Sequence, residues 1–403
     1  MAADDVNRPD RIVNLRTIDG AHVDLAFEGG RIAQIGPHVG SRPRDATTLD
    51  GKGGLVMTPF ADGHVHLDKT FLGHAHIPHR QGAAVHDRIR IEKDLRREIG
   101  LPVAERGAAF LKQALAHGTT ALRSHVDIDP EIGLSGLEAV LDLKARWSGI
   151  MDIQIVAFPQ SGILAAPGTA DLMRAAMQTG ADLVGGLDPL GYDGDADAHL
   201  DVVFKLAETF GAGVDIHLHD GGEAGLAQIR DIARRTGAAG LQGRVAISHA
   251  FALGEPGEIG PTVDLLARCG VAIMTHGPGP VPMPPVAHLR AQGVEVFAGS
   301  DNVRDAWSPF GNADMLERAM IIGYRQGANT DEDLLALFDL ATHAPRRVMG
   351  RPAATIAPGA PADLVILNEP TVAQALAAHS PRAVVMKAGR IVAQDGDLLS
   401  DAP

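Results

Sequence analysis

Eight short apolar segments, each followed by a stretch of helical character, constrain the fold of this chain more than any other feature. They are the segment that enters His64, then residues 118–126, 152–158, 183–187, 213–219, 245–249, 271–276 and 294–301. This alternation is typical of parallel βα units. Eight such units in succession, without a glycine-rich dinucleotide fingerprint after the first strand, favour a closed (β/α)8 TIM barrel over an open sheet.

The two ends of the chain carry a different pattern, in which short β-like runs are joined by glycine turns. These runs lie in residues 11–37 and 363–393, and neither segment contains a helical stretch long enough to cover the strands on both sides. We therefore predict an α/β protein with a small β-sandwich domain built from both termini, residues 1–58 and 353–403. The barrel domain, residues 59–352, is inserted between them.

Composition limits the kinds of partner and the expected location. The chain has 36 Lys and Arg against 50 Asp and Glu, a formal charge of −14, which argues against nucleic acid and against an anionic membrane surface. The basic residues of the run 86–97 are interleaved with acids, so we expect a solvated helix face there. A single cysteine and the lack of a signal-like or long apolar segment predict a cytoplasmic protein.

Histidines and other polar residues stand where the predicted strands end. His64 and His66 are two residues apart on the first strand, so their side chains project to the same face. The further strand-end residues are Gln160 after the third strand, His217 and His219 on the fifth, His249 on the sixth and Asp301 on the eighth. Because active sites of such barrels gather at the C-terminal ends of the strands, we expect these side chains to meet in one site.

The types of these residues predict a metal centre. Three imidazoles and one carboxylate, from His64, His66, His217 and Asp301, suit one divalent cation per subunit, Zn²⁺ or Fe²⁺. Such a cation lowers the pKa of a bound water toward neutrality. Asp301 would accept a proton from this water, and His249 would hold the water and stabilise the charge that develops after attack.

Four further segments carry a resemblance to a known family. They are residues 59–68, 155–162, 248–249 and 300–311, the last reading Ser-Asp-Asn-Val-Arg-Asp-Ala-Trp-Ser-Pro-Phe-Gly. With the strand of His217 they resemble the amidohydrolase superfamily, and within it the cytosine deaminase branch, over nearly the whole chain. The resemblance implies that Gln160 hydrogen-bonds the amide of a substrate ring and that Trp307 packs on a flat heterocycle.

The fourth strand bears on the number of metals. Many superfamily members carry a carboxylated lysine there that bridges two metals, whereas residues 183–191 of this chain contain no lysine. The resemblance therefore implies one catalytic metal.

The chain departs from cytosine deaminases at two places. His219 and Asp220 follow His217 where those enzymes have a proton-shuttling glutamate, and either could take over proton delivery. Asn302 replaces an aspartate. These departures, together with Lys69, which could approach an anionic oxygen of the substrate, make the sequence more similar to N-isopropylammelide isopropylamidohydrolases.

The resulting expectation is a metal-dependent hydrolase, a cyclic amidine deaminase that cleaves an exocyclic C–N bond of a small aminated heterocycle and releases ammonia. Two enzymatic alternatives stay open: N-dealkylation of a hydroxytriazine with release of an alkylamine, and ring opening of a cyclic amide. A catalytically inactive barrel that acts as a binding subunit is the non-enzymatic alternative. The partner is a small heterocyclic substrate, and the chain could form homo-oligomers.

Overall fold

The computed structural model describes residues 7–40, 47–80, 82, 84–277 and 279–399, in which twelve α-helices and seventeen strands are formed. The strands are β1 Arg11–Arg16, β2 His22–Glu28, β3 Arg31–Pro37, β4 Thr48–Asp50, β5 Leu55–Met57, β6 Phe60–Val65, β7 Thr119–Asp127, β8 Asp152–Phe158, β9 Leu183–Leu187, β10 Gly213–Leu218, β11 Val245–His249, β12 Val271–Thr275, β13 Val296–Ala298, β14 Leu364–Leu367, β15 Arg382–Lys387, β16 Arg390–Gln394 and β17 Asp397–Leu398. The helices are α1 Val85–Glu98, α2 Val103–Ala116, α3 Ser135–Arg146, α4 Thr169–Thr179, α5 Ala196–Phe210, α6 Gly222–Ala238, α7 Gly260–Cys269, α8 Val286–Ala291, α9 Met315–Gln326, α10 Asp331–Leu340, α11 His343–Val348 and α12 Val372–Ala377.

Strands β6 to β13 form the barrel. Each strand pairs in parallel with its sequence neighbours, in the order β13-β12-β11-β10-β9-β8-β7-β6. The first and last strands meet through a parallel bridge between Val65 and Asp301, and the Asp301 amide donates to the His64 carbonyl at 2.8 Å. Most barrel strands are buried at every position, because helices cover one face and the barrel interior the other.

The second sheet joins the two ends of the chain. Its order is β17-β16-β15-β14-β5-β1-β2-β3, with β4 paired to β1. The contact between the N-terminal and C-terminal strands is the antiparallel pair β5 and β14, in which Val56 faces Ile366. The predicted fold class, a (β/α)8 barrel with a β-unit from both termini, is confirmed. The domain boundaries at residues 58 and 353 stay predictions.

The helices that cover the barrel follow local signals in the sequence. Helix α5 begins after Asp195, whose side chain accepts a hydrogen bond from the Ala198 amide, and ends at Gly211, which has a φ of +59° that glycine adopts without strain. Helix α10 begins with a capping box formed by Thr330 and Asp333. Among the described residues, no helix combines the length and the apolar character needed to cross a bilayer.

Helix α1 lies beside the C-terminal end of the barrel and differs in part from the predicted solvated face. Arg90 and Arg97 are exposed as expected, but Ile89, Glu92 and Leu95 are buried. The inward face of this helix therefore belongs to the site described next.

Candidate active site

A cavity of about 610 Å³ opens at the C-terminal ends of the barrel strands, a size typical of small-molecule sites. Its polar lining includes His66, Lys69, Gln160, His217, His219, His249, His276, Asp301, Asn302, Trp307 and Arg318. His64 lies fully buried beside this set, 3.5 Å from Asp301.

Four side chains in the cavity form a cluster of the kind that holds a metal ion. One ligand atom from each of His64, His217, His249 and Asp301 lies within 4.8 Å of all the others. His66 is adjacent, with Nε2 3.4 Å from Asp301 Oδ1. His249 was expected only to hold the water, but it is grouped as closely as His217. The choice of ligands among the five stays a prediction.

Two of these residues reach their positions through a left-handed backbone at the strand ends. His249 has a φ of +74° and Asp301 a φ of +58°, a conformation that is costly for residues other than glycine and that often marks a functional site. Each turn redirects the chain as the strand ends while the side chain stays in the cavity.

The tautomer of His64 is fixed by a chain of hydrogen bonds. Ser248 Oγ lies 2.9 Å from His64 Nδ1 and 2.8 Å from Asp215 Oδ1. Because a carboxylate only accepts, the single hydroxyl proton of Ser248 goes to Asp215, and the hydroxyl oxygen accepts from His64 Nδ1–H. The lone pair of His64 therefore lies on Nε2, which faces Asp301.

The buried nitrogens of the cluster fit a divalent cation. His64 Nε2, His66 Nδ1, both ring nitrogens of His217 and His249 Nδ1 have no hydrogen-bond partner among the described residues. Burial followed by neighbouring imidazoles lowers the pKa of His217 well below its ordinary value, and burial together with Lys69 lowers the pKa of His66 to about 3. Neutral imidazoles beside a carboxylate are suitable ligands for a transition-metal ion.

Asp301 is the anionic member of the cluster. Burial alone would raise the pKa of its carboxyl, but His276 and the neighbouring imidazoles of His64 and His66 together outweigh burial and hold it well below its ordinary range. A carboxylate that stays ionised can ligate a cation.

A second group of metal-ligand type, His64, His125 and Asp215, lies deeper in the barrel. Arg123 already neutralises Asp215, with Nη1 2.7 Å from Oδ2, and the group shares His64 with the first cluster. These contacts favour one cation over two.

Lys69 and Gln160 form one wall of the cavity. Lys69 Nζ donates to Gln160 Oε1 and lies 3.1 Å from Asp127 Oδ1, so the Gln160 amide nitrogen is left to donate elsewhere. Burial disfavours the ammonium charge, but the surrounding carboxylates, Asp127 first, raise the pKa of Lys69 above its usual value. Lys69 therefore stays protonated, with its charge paired to these carboxylates. The Trp307 ring centroid is 5.7 Å from Nζ.

His219 also lines the cavity. Its ring stacks on that of His249, with centroids 4.5 Å apart, and its Nδ1 is 2.9 Å from Asp188 Oδ2. Burial lowers the pKa of His219, but Asp188 outweighs burial and the net shift is upward.

Two predicted site residues have other partners. Asp220 does not line the cavity within the described part of the chain, because its carboxylate accepts from the Gly191 amide at 2.9 Å and from Gln228 Nε2 at 2.8 Å. Asn302 does line the cavity, and its Nδ2 donates to Asp305 at 2.7 Å. This bond orients the Asn302 amide.

Several residues of the site were missed in the sequence. His276 follows β12 directly and Asp188 follows β9 directly, so the strand-end rule could have found both. Glu92 gave no such signal, because it lies within a charged helix that reads as solvated. Arg318, which donates to the His276 carbonyl at 2.6 Å, likewise lies on a helix.

Comparison with known proteins assigns the class. The amidohydrolase family signature matches residues 47–393, so the chain belongs to the amidohydrolase family of hydrolases that act on C–N bonds. It is 34% identical over 382 residues to the N-isopropylammelide isopropyl amidohydrolase of Pseudomonas sp. strain ADP, covering 92% of this chain and 94% of the relative.

Two solved structures share the architecture. N-isopropylammelide isopropylaminohydrolase from Burkholderia multivorans superposes with a TM-score of 0.90 at 41% identity, covering 96% of this chain and 99% of the other. 5-methylcytosine deaminase from Klebsiella pneumoniae, liganded with 5-fluorocytosine, gives a TM-score of 0.85 at 25% identity, covering 95% and 97%.

Proposed function

We propose that this chain hydrolyses an exocyclic C–N bond of a small hydroxylated N-heterocycle and releases an alkylamine. The observation that carries the proposal is the convergence of three groups on one cavity. These groups are the cluster around Asp301, the cationic Lys69 bound to Gln160, and the His219–Asp188 pair. Water adds its oxygen to the ring carbon, and the amine leaves with a proton.

The cluster at the base of the cavity activates the water. His64, His66, His217 and Asp301 would hold a divalent cation, Zn²⁺ or Fe²⁺, which would supply Lewis-acid activation of water at neutral pH. Asp301 accepts the proton that the water loses. His249, adjacent to Asp301 and stacked on His219, donates to the oxygen on which negative charge develops.

The wall of Lys69 and Gln160 binds the ring. Gln160 donates its amide N–H to a ring carbonyl, and Lys69 places a positive charge near a ring oxygen that carries negative charge. Trp307 offers its indole face to the flat heterocycle, and Asn302 presents its amide oxygen to a ring substituent. These contacts fix which ring carbon faces Asp301.

His219 delivers the proton to the leaving amine. Because Asp188 accepts from Nδ1–H, the Nε2 of His219 is the nitrogen left to exchange a proton in the cavity. Proton donation to the amine nitrogen converts a poor leaving group into a good one.

The leaving group is an alkylamine rather than ammonia, in contrast to the leading expectation from the sequence. The identities of 34% and 41% to the two N-isopropylammelide hydrolases exceed the 25% to 5-methylcytosine deaminase. The cavity also has apolar walls that could contact an alkyl group, formed by Val85, Leu187, Phe251, Phe310 and Ile321. Release of ammonia is the second candidate, supported by the TM-score of 0.85 to the deaminase.

The test is mass spectrometry of products from metal-loaded protein and a substrate panel. The panel contains hydroxytriazines with an isopropylamino or a free amino group, cytosine and isocytosine. We expect the isopropylamino compound to lose isopropylamine and gain a ring carbonyl. The Asp301→Asn variant is the inactive control.

Each other outcome points to a specific alternative. Conversion of cytosine alone would replace the proposal by the deaminase. A product heavier than its substrate by one water would indicate ring opening. A panel that stays unchanged while the metal is bound would refute this substrate class.

A further inference from the structure

We propose that Glu92 is a positioning residue that clamps Lys69 and Trp307 in the orientation in which they bind the substrate ring. Glu92 lies on α1, outside the barrel strands, and it is only 7% exposed. The inference rests on the proposed function where it concerns substrate, but the clamp itself is a property of the protein alone.

One oxygen of Glu92 serves both partners. Glu92 Oε2 accepts a hydrogen bond from Trp307 Nε1 and lies 3.4 Å from Lys69 Nζ. Lys69 has three N–H donors, and Gln160 and Asp127 are its other near partners. The ammonium group is thus held on three sides, and its flexible stem loses the freedom to turn away from the cavity.

The same contact fixes the indole ring. Trp307 has one polar atom, Nε1, so the bond to Glu92 sets the rotation of the ring about its side-chain torsions. Ile89 and Val85 of α1 belong to the apolar cluster that packs against Trp307. The helix thereby holds the ring through both a hydrogen bond and apolar contact.

Charge complementarity keeps Glu92 in this role. Burial favours the neutral acid, but Lys69, Asp127, Arg96 and the indole N–H of Trp307 together outweigh burial and lower the pKa of Glu92 to about 2. Arg96 Nη2, one turn along α1, lies 3.8 Å from Glu92 Oε1. A carboxylate accepts from both an ammonium and an indole N–H, which a neutral amide does less strongly.

The kinetic test compares Glu92→Gln and Glu92→Ala with Glu98→Gln. Glu98 is the matched control, since it lies on the same helix, is about half exposed and pairs with Arg80. The ring contacts act equally on ground state and transition state, so both Glu92 variants should raise KM by roughly tenfold or more and change kcat by less than about threefold. A purely structural role would lower the active fraction, and hence apparent kcat, with KM unchanged.

A test without substrate uses ¹⁵N-labelled tryptophan in the wild-type protein. The chain has two tryptophans, and the signal missing from Trp307→Phe identifies the Trp307 indole. We expect this N–H to be shifted downfield and slow to exchange, and to move upfield in Glu92→Gln but not in Glu98→Gln. Rapid exchange in the wild type would overturn the clamp even if every substrate in the panel failed.

Discussion

Asp188 holds His219 at two points, just beyond the ends of the neighbouring strands β9 and β10. Its Oδ1 accepts from the His219 backbone amide at 2.6 Å, and its Oδ2 accepts from His219 Nδ1 at 2.9 Å. Since a carboxylate cannot donate, Nδ1 carries the hydrogen and Nε2 is the nitrogen that can exchange a proton. The pairing positions an imidazole as an acid–base group without using it as a metal ligand.

Replacement of His219 by Asn should therefore lower kcat by roughly 10²–10⁴-fold, the usual contribution of a general acid–base group, while the metal content stays unchanged. An assay of amine release measures kcat, and elemental analysis of the same preparation measures the metal content. His288→Asn, an exposed histidine on α8, is the control. Parallel losses of turnover and metal would show that His219 is a ligand or a structural residue.

Asp220 was the other candidate for the proton shuttle. Gly191 and Gln228 both donate to Oδ2 of its carboxylate outside the cavity, and the amide oxygen of Asn at this position can still accept these bonds. We expect Asp220→Asn to change kcat by less than about threefold, since only groups that reach the reacting atoms give large acid–base effects. If Asp220→Asn lowers kcat as much as His219→Asn does, the assignment of His219 as the proton donor is refuted.

The sequence predicts the barrel well because each of its strands can be recognised from neighbouring residues alone. Each buried strand reads as an apolar run, and side chains such as His217 at the strand ends must share one edge of the sheet. The pattern cannot show what faces the cavity from outside the barrel. Glu92 reaches Lys69 only because α1 lies beside the barrel, and Asp220 turns away from the cavity because its carboxylate accepts a hydrogen bond from the Gly191 amide. Both depend on tertiary contacts.

Ser248 is expected to control metal affinity through His64. Removal of its hydroxyl in Ser248→Ala leaves His64 Nδ1 without an acceptor and frees the tautomer. Loss of such a supporting contact typically costs about 10–100-fold in metal affinity, which competition with a fluorescent chelator can measure. Ser380→Ala removes a fully buried hydroxyl that accepts from the Asn368 amide, and it controls for the general effect of losing a buried hydroxyl. Equal affinities for wild type and Ser248→Ala would contradict the relay.

We expect each chain to bind one metal ion, and we expect this binding to stabilise the folded state. We expect one equivalent of Zn²⁺ or Fe²⁺ per chain, because Arg123 neutralises Asp215 in the deeper group. Removal with a chelator should abolish amine release and lower the melting temperature, since a ligand that binds only the folded state stabilises it. Readdition should restore both. Two tightly bound equivalents would refute the single site.

Asp314 links the barrel to the sheet formed by the termini. It is the N-cap of α9, where it accepts from the Leu316 amide at 2.8 Å. Its carboxylate also pairs with Arg382 and lies 2.8 Å from His379 Nε2. Because asparagine caps helices about as well as aspartate, Asp314→Asn removes the charge and keeps the cap. We expect a loss of roughly 3–5 kcal/mol of unfolding free energy near neutral pH, the usual effect of breaking a buried ion pair.

The pH dependence of that loss has a definite sign. Burial would raise the pKa of Asp314, but His379 and Arg382 outweigh burial and hold it below its ordinary 3.8. Its contribution is therefore present above pH 3.8 and disappears as the pH falls through the lowered pKa. The hydrogen bond to Asp314 raises the pKa of His379 above 6.5. The contribution of the His379–Asp314 pair to the unfolding free energy is therefore complete below pH 6.5 and is lost as the pH rises through the raised pKa.

The stability difference between wild type and Asp314→Asn should thus be largest between about pH 4 and pH 6.5 and should decline on both sides. It should not vanish at high pH, because Arg382 stays charged. Urea unfolding across this range measures the difference. Asp195→Asn, at the exposed N-cap of α5, is the matched control and should show no such maximum. A difference that grows as the pH falls below 4 would contradict the lowered pKa of Asp314.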